Sequence, residues 1–247
     1  MNIVVIFAGG MGFRMGADIP KQFIEINGKP ILIHTMLQFQ FHRDIDRIYL
    51  VSQPEYYDLC RSLARDHGIT KLAGIAPGGE TAQDSIYNGL KLAESECPPD
   101  TVVLLHDGIR PFLAYDVITK NIQGVREKGN AITSTPCFET VIVSRDGSTV
   151  ENVPYRKETY TAQAPQSFFL GDIIAAHDRV RARPERYENM VDACTILRSL
   201  DIPVHMIEGN RGNIKVTTPE DIYLLKALFQ YREDIKAQRG EAFTQIV

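Results

Sequence analysis

The sequence predicts an α/β fold, a mostly parallel sheet with helices on both faces. Three observations predict it. Short β-branched runs lack the polar alternation of a half-exposed strand. Helix-like segments separate them. A glycine-rich turn follows the first run directly.

The elements follow in order. Ile3-Val-Val-Ile-Phe7 reads as a strand buried on both faces, and Gly9-Gly10 follow it after Ala8. Pro30 opens a helix over 31–41, since proline suits the first helical position. Arg47–Ser52 is a second strand, and 55–67 a helix stopped by Gly68. Gly78-Gly79 forms a loop ahead of a helix over 81–93. Pro98-Pro99 breaks the chain before a buried strand over 101–105. A helix over 115–128 and a strand beginning over 131–135 complete the alternation, which implies right-handed crossovers. Ligands of such sheets bind at the carboxyl ends of strands, where the glycine turn and the His106-Asp107 corner both fall.

The segment after residue 137 reads differently. Runs over 140–144 and 148–153 flank Asp146-Gly147, a hairpin signal. A lone hairpin is marginal in water, so this arm, residues 137–160, packs either on a second subunit or on its own domain. Helices over 172–181 and 190–200, a strand over 204–208 and a helix from 219 to 231 finish the chain. The whole of 1–247 reads as a single domain bearing that arm.

Composition narrows the function. The 247 residues are 44% hydrophobic and 23% charged, with a net charge of −4, which gives no electrostatic reason for nucleic-acid or membrane binding. Cys60, Cys97, Cys137 and Cys194 form no C-x-x-C pair, and read as free thiols of a reducing cytoplasm. The apolar run at the N-terminus is too short for a signal peptide, and no stretch approaches the roughly 20 apolar residues of a membrane span.

Ala8-Gly-Gly-Met-Gly-Phe-Arg-Met-Gly16 is the first candidate for chemistry. Its small residues let backbone N–H groups approach an anion, although a plain structural turn explains the glycines equally well. The spacing misses a dinucleotide fingerprint, and the Gly-Lys-Ser/Thr of a Walker loop is absent. Pro20-Lys-Gln22 sharpens the phosphate reading. Lys21 offers a localised charge and Arg14 a planar fork, together a clamp for a triphosphate undergoing substitution, although either one alone reads better as an ordinary surface cation. At the end of a strand, Asp107 is a candidate Mg²⁺ ligand. Arg110 suits a carboxylate or a phosphate, and His106 reads as a corner histidine with its hydrogen bonds met. Lys215, between Ile214 and Val216, reads as part of a half-buried strand, facing either a cleft or the outside.

Taken together, A-G-G-M-G-x-R-M, P-K-Q, G-G-E-x-x-x-D-S, H-D-G-x-R-P, A-P-Q-S-F, D-A-C and N-I-K-V-T-T-P-E-D run along nearly the whole chain. In this order they resemble the cytidylyltransferases acting on polyol phosphates, which include enzymes for ribitol 5-phosphate and for 2-C-methyl-D-erythritol 4-phosphate. The resemblance implies a Rossmann-like nucleotidyltransferase fold, a homodimer joined through the arm, and use of CTP and Mg²⁺. By position, Phe7, Ala8, Gly9, Gly10 and Gly12 would line the nucleotide, with Gly79, Glu80, Ser85, Asp107 and Gly108. Arg14, Lys21 and Lys215 would be catalytic, and Asp107 would hold the metal. Arg110, Thr140, Arg156, Asp192 and Lys215 would bind the polyol phosphate, with Thr140 and Arg156 reaching a neighbouring subunit's site.

Departures separate the branches. The methylerythritol enzymes usually carry a threonine before the Pro-Gln pair and another before the later aspartate, where this chain has Ala164 and Val191. Those segments look more like the ribitol-phosphate branch, whose activated product in bacteria usually feeds surface polymers such as capsule and teichoic acid. A family arginine in the nucleotide loop is replaced near Ala82 and Gln83. The competing readings are the methylerythritol reaction and a nucleotide-binding regulatory protein without turnover.

Overall fold

A computed structural model describes residues 1–8 and 19–238. The glycine turn from Gly9 to Gly16, with Gly10, Gly12 and Arg14, therefore lies outside the described residues.

The first strand, β1 (Asn2–Phe7), is followed by a short hairpin of β2 (Glu25–Ile26) and β3 (Lys29–Pro30). Next come α1 (Ile31–Gln40), β4 (Arg47–Ser52), α2 (Tyr57–Asp66), β5 (Leu72–Pro77), α3 (Ala82–Glu94), β6 (Val102–Asp107), α4 (Tyr115–Lys128) and β7 (Asn130–Pro136). Beyond the arm lie β8 (Tyr160–Phe169), α5 (Leu170–Arg181), α6 (Ala193–Ser199), β9 (Met206–Glu208) and α7 (Pro219–Gln238). Among the described residues a seven-stranded sheet runs β5-β4-β1-β6-β8-β7-β9. Only β8 is antiparallel to its neighbours.

Side chains alternate across a strand, and both faces of this sheet are covered. Ile3 and Val5 of β1 enter one core with Leu90 of α3, Ile173 of α5 and Ile196 of α6. Val4 and Ile6 enter the other with Leu32 of α1, Ala64 of α2 and Val117 of α4. All four β1 side chains are fully buried, each worth roughly 1.5–3 kcal/mol. This is why β1 reads as an unbroken apolar run. Gly89 lets α3 sit tightly on the sheet, because a Cβ there would meet Val5 and Val51 at 2.6 Å.

The structure corrects several expectations. Pro30 is the extended N-cap of α1, with ψ 146°, and not its first residue. Four strands were not foreseen. β2 and β3 are two residues each, too short for a sequence pattern to mark. β5 carries Gly74 and Pro77, poor strand formers that an edge tolerates. β8 holds Pro165 in its middle. Its pairing with β6 runs only from Phe169 to Gln166, and its ladder with β7 shifts register between Ile132 and Ser134, opposite the proline. The arm's strands reduce to one antiparallel bridge, Val143–Asn152, around a turn with Gly147 at φ 73°. Residues 213–217 form no strand. No described helix is long and apolar enough to cross a membrane.

Candidate active site

A cavity of about 370 Å³ opens at the carboxyl ends of β1 and β6. The divergence of β8 from β6 beyond Gln166 makes room for it. Ala162, Gln163, Ala164 and Gln166 line one wall, and Ala82, Ser85 and Ile86 of α3 another.

The floor comes from the strand ends. Phe7 and Ala8 close β1, and the Gln22 amide donates to the Ala8 carbonyl at 2.6 Å, which fixes Lys21 at the cavity edge. The Gly108 N–H donates to the Phe7 carbonyl at 2.9 Å, and a Cβ on Gly108 would lie 3.0 Å from that oxygen. Gly108 thus serves the close approach of the β6 corner to β1 and does not itself line the cavity.

Asp107 is the electrostatic centre. Its Oδ2 accepts from Arg110 Nε at 2.8 Å and its Oδ1 meets Lys215 Nζ at 2.7 Å. Burial raises its pKa, but the charges of Lys215 and Arg110 outweigh that and hold the carboxyl down to about 2. Arg110 also donates to the Asn213 carbonyl at 2.8 Å, so its guanidinium is committed to the protein. Lys215 is 43% exposed and faces the cavity, although its segment is not a strand. His106 is fully buried. Its Nε2 bonds the Arg110 carbonyl at 3.2 Å, while Nδ1 has no partner, so only half of the expected satisfaction is met. Desolvation pushes His106 down to about 4, neutral at pH 7.

Ser85 lies beneath the nucleotide-loop wall. Its hydroxyl accepts from the Gly79 N–H at 2.9 Å and donates to the Thr81 carbonyl at 3.1 Å. A Cβ on Gly79 would strike Asp84 Cβ at 2.4 Å, so glycine is required there by packing. Gly79 and Glu80 do not line the cavity. On the far rim, Asp192 caps α6 by accepting from the Thr195 N–H at 2.9 Å, and its other oxygen accepts from Gln166 at 2.9 Å. Thr140 and Arg156 sit exposed on the arm and do not line the cavity.

Sequence reading missed Gln163, Gln166 and Asn213. Their side-chain contacts span 26 to 50 residues along the chain, and neither periodicity nor charge marks them. Among the described residues no group of three or more His, Cys, Asp or Glu is placed to hold a metal. A hard cation that keeps most of its waters and bridges substrate phosphates needs less, one ionised carboxylate facing the cavity. Asp107 meets that need.

Comparison with known proteins assigns the fold. Residues 2–231 match IspD, 2-C-methyl-D-erythritol 4-phosphate cytidylyltransferase. The chain belongs to the IspD family. A ribitol-5-phosphate cytidylyltransferase from Streptococcus agalactiae serotype V is 41% identical over 235 residues, 95% of this chain and 97% of the relative. A 2-C-methyl-D-erythritol 4-phosphate cytidylyltransferase from Clostridium botulinum strain Okra is 35% identical, over 90% of this chain and 95% of the relative. The crystal structure of the 4-diphosphocytidyl-2C-methyl-D-erythritol synthase from Anaerococcus prevotii superposes with a TM-score of 0.79 at 28% identity, covering 93% and 96% of the two chains. As an IspD-family member the protein is a nucleotidyltransferase that uses CTP. Of the two positions that depart from the methylerythritol pattern, Ala164 and Val191, both line the cavity.

Proposed function

We propose that this protein transfers CMP from CTP to ribitol 5-phosphate, giving CDP-ribitol and pyrophosphate. One observation carries the reading. Lys21, Arg110, Lys215 and the ionised Asp107 converge on a cavity at the carboxyl ends of β1 and β6. The choice of polyol rests on the ribitol-type relatives and on Ala164 and Val191, which leave those two wall positions without the threonine hydroxyls of the methylerythritol pattern.

An oxygen of the substrate phosphate attacks the α-phosphorus of CTP. The new P–O bond forms in line with the breaking bond to the β-phosphate bridge, and pyrophosphate leaves. A phosphate monoester is already largely dianionic at neutral pH, its second pKa being about 6, so no general base is required. Lys21 and Lys215 both line the cavity and meet the phosphates. These charges hold the two phosphates in line despite their mutual repulsion. Asp107 and phosphate oxygens would hold Mg²⁺, which would neutralise charge on the leaving pyrophosphate. Lys215 then exchanges part of its contact with Asp107 for phosphate.

The arm belongs to the same proposal. Phe138, Ile142, Val150, Val153 and Tyr155 are all exposed there, an apolar surface unusual for a solvated loop. A second copy covering the arm would form a homodimer and carry Thr140 and Arg156 to the partner's cavity. Sedimentation equilibrium tests this, and a monomer at micromolar concentration would refute it.

The test of function is pyrophosphate release with CTP, Mg²⁺ and a panel of polyol phosphates. Turnover is expected with ribitol 5-phosphate. Preference for methylerythritol phosphate would overturn the substrate, and CTP binding without release on every member would favour the regulatory reading.

A further inference from the structure

Asn213 is fully buried between two walls of the cavity, yet it carries no charge and does not line the site. Its Nδ2 donates to the Ala164 carbonyl at 2.6 Å and to Gln163 Oε1 at 3.3 Å, both on the β8 wall. Its backbone carbonyl accepts from Arg110 at 2.8 Å, in the corner that follows β6. Its Oδ1 is buried without a protein partner among the described residues. Two positions on, Lys215 reaches Asp107. The next residue, Val216, is buried and donates its N–H to the Ile109 carbonyl at 3.0 Å. The segment bearing Lys215 has no helix or strand to hold it, so its anchors are Asn213 on one side and Val216 on the other.

We propose that Asn213 is a positioning residue: it sets Lys215 and Arg110 against Asp107 and ties that charged cluster to the β8 wall. Its effect on catalysis therefore passes through the lysine. This inference rests on the transferase reading of the cavity, but the two can fail separately.

The experiment is a double-mutant cycle of Asn213→Ala and Lys215→Ala in the full chain, with Asn213→Ser as a second variant that keeps one donor. Displacing a catalytic group by about 1 Å costs on the order of 100-fold, so Asn213→Ala is expected to lower kcat by roughly 30- to 100-fold while KM for CTP changes less than about threefold. In the Lys215→Ala background the same substitution is expected to cost less than about threefold, because the group it positions is gone. Asn213→Ser is expected to fall between wild type and Asn213→Ala. Fully additive losses across the cycle would overturn the proposal. A crystal structure gives a readout without turnover. In Asn213→Ala, or in Asn213→Ser if the alanine variant does not fold, Lys215 Nζ is expected to leave Asp107 with the sheet unchanged. An ion pair kept at its wild-type length would refute the positioning role. Were wild type inactive on every polyol phosphate, the transferase reading would fall and this structural comparison would still decide the role of Asn213.

Discussion

Replacing Asp107 by asparagine removes one charge and almost no volume, so its effects isolate electrostatics. In the folded protein the carboxyl is held at about 2, against an ordinary value of 3.8. At about 1.36 kcal/mol per pH unit, that gap corresponds to about 2 kcal/mol of stability from the ionised form. The side chain is only 20% exposed, so solvent screening removes little of it. The sign follows from the depressed value. The contribution is fully present above the unfolded pKa near 4, and it is lost as pH falls through about 2. For a chain of this size, about 2 kcal/mol lowers Tm by roughly 4–8 °C. Scanning calorimetry of wild type and Asp107→Asn across pH tests this. The difference in Tm should stay constant above about pH 5 and close toward pH 2. A difference independent of pH down to the acid limit, or none at pH 7, would refute the account of Asp107 as a carboxylate held between two cations. The variant should also lose on the order of 100-fold in kcat/KM for CTP, because Lys215 and Arg110 lose their anchor.

Lys21→Ala is expected to lower kcat by on the order of 100-fold with CTP affinity changed less than about fivefold; titration calorimetry beside steady-state kinetics separates the two, and near-normal turnover would remove Lys21 from the chemistry. His106 and His177 are both held near 4, by desolvation first. Each takes a proton in the unfolded chain at about 6.5, so stability should fall as pH drops from there toward 4, and His177→Phe should flatten part of that slope in urea titrations. Ala164→Thr with Val191→Thr should shift preference toward methylerythritol phosphate by roughly tenfold or more in kcat/KM; an unchanged ratio would mean these wall positions do not sort substrates.

The strands and helices that read correctly are those whose local pattern matches their burial. β1 is apolar because both faces of the sheet are covered, and α4 spans Tyr115–Lys128, the range its pattern predicts, closed by Gly129 in the left-handed conformation. β8 was illegible for the opposite reason. Its residues Ala162 to Gln166 are poor strand formers, held in β8 by pairing with β7 at either end and with β6 only at Gln166. The turn of the arm was legible, since Asp146 accepts from the Ser148 and Thr149 N–H groups at 2.8 and 2.7 Å, but its flanks hold only one bridge without a partner surface. In the site, charge announced Lys21, Asp107, Arg110 and Lys215. The amides around them did not announce themselves, because Gln166 and Asn213 make contacts that form only when distant segments meet.

Pro165 links these observations. A proline in a central strand removes a ladder donor, a fault in a sheet built only for stability. Here the β6–β8 ladder stops at Gln166, and the Pro165 carbonyl takes its bond from the Thr133 hydroxyl at 2.6 Å. The stretch from Ala162 to Ala164, unpaired on its β6 side but still part of β8, lines the cavity, and Asn213 reaches across to bond the Ala164 carbonyl. Strand pairing that an uninterrupted sheet would keep is exchanged for a cavity of about 370 Å³. The residues that look least like a strand are therefore the ones that make room for the reaction, and restoring strand-like sequence at 163–165 should tighten the sheet and close the site.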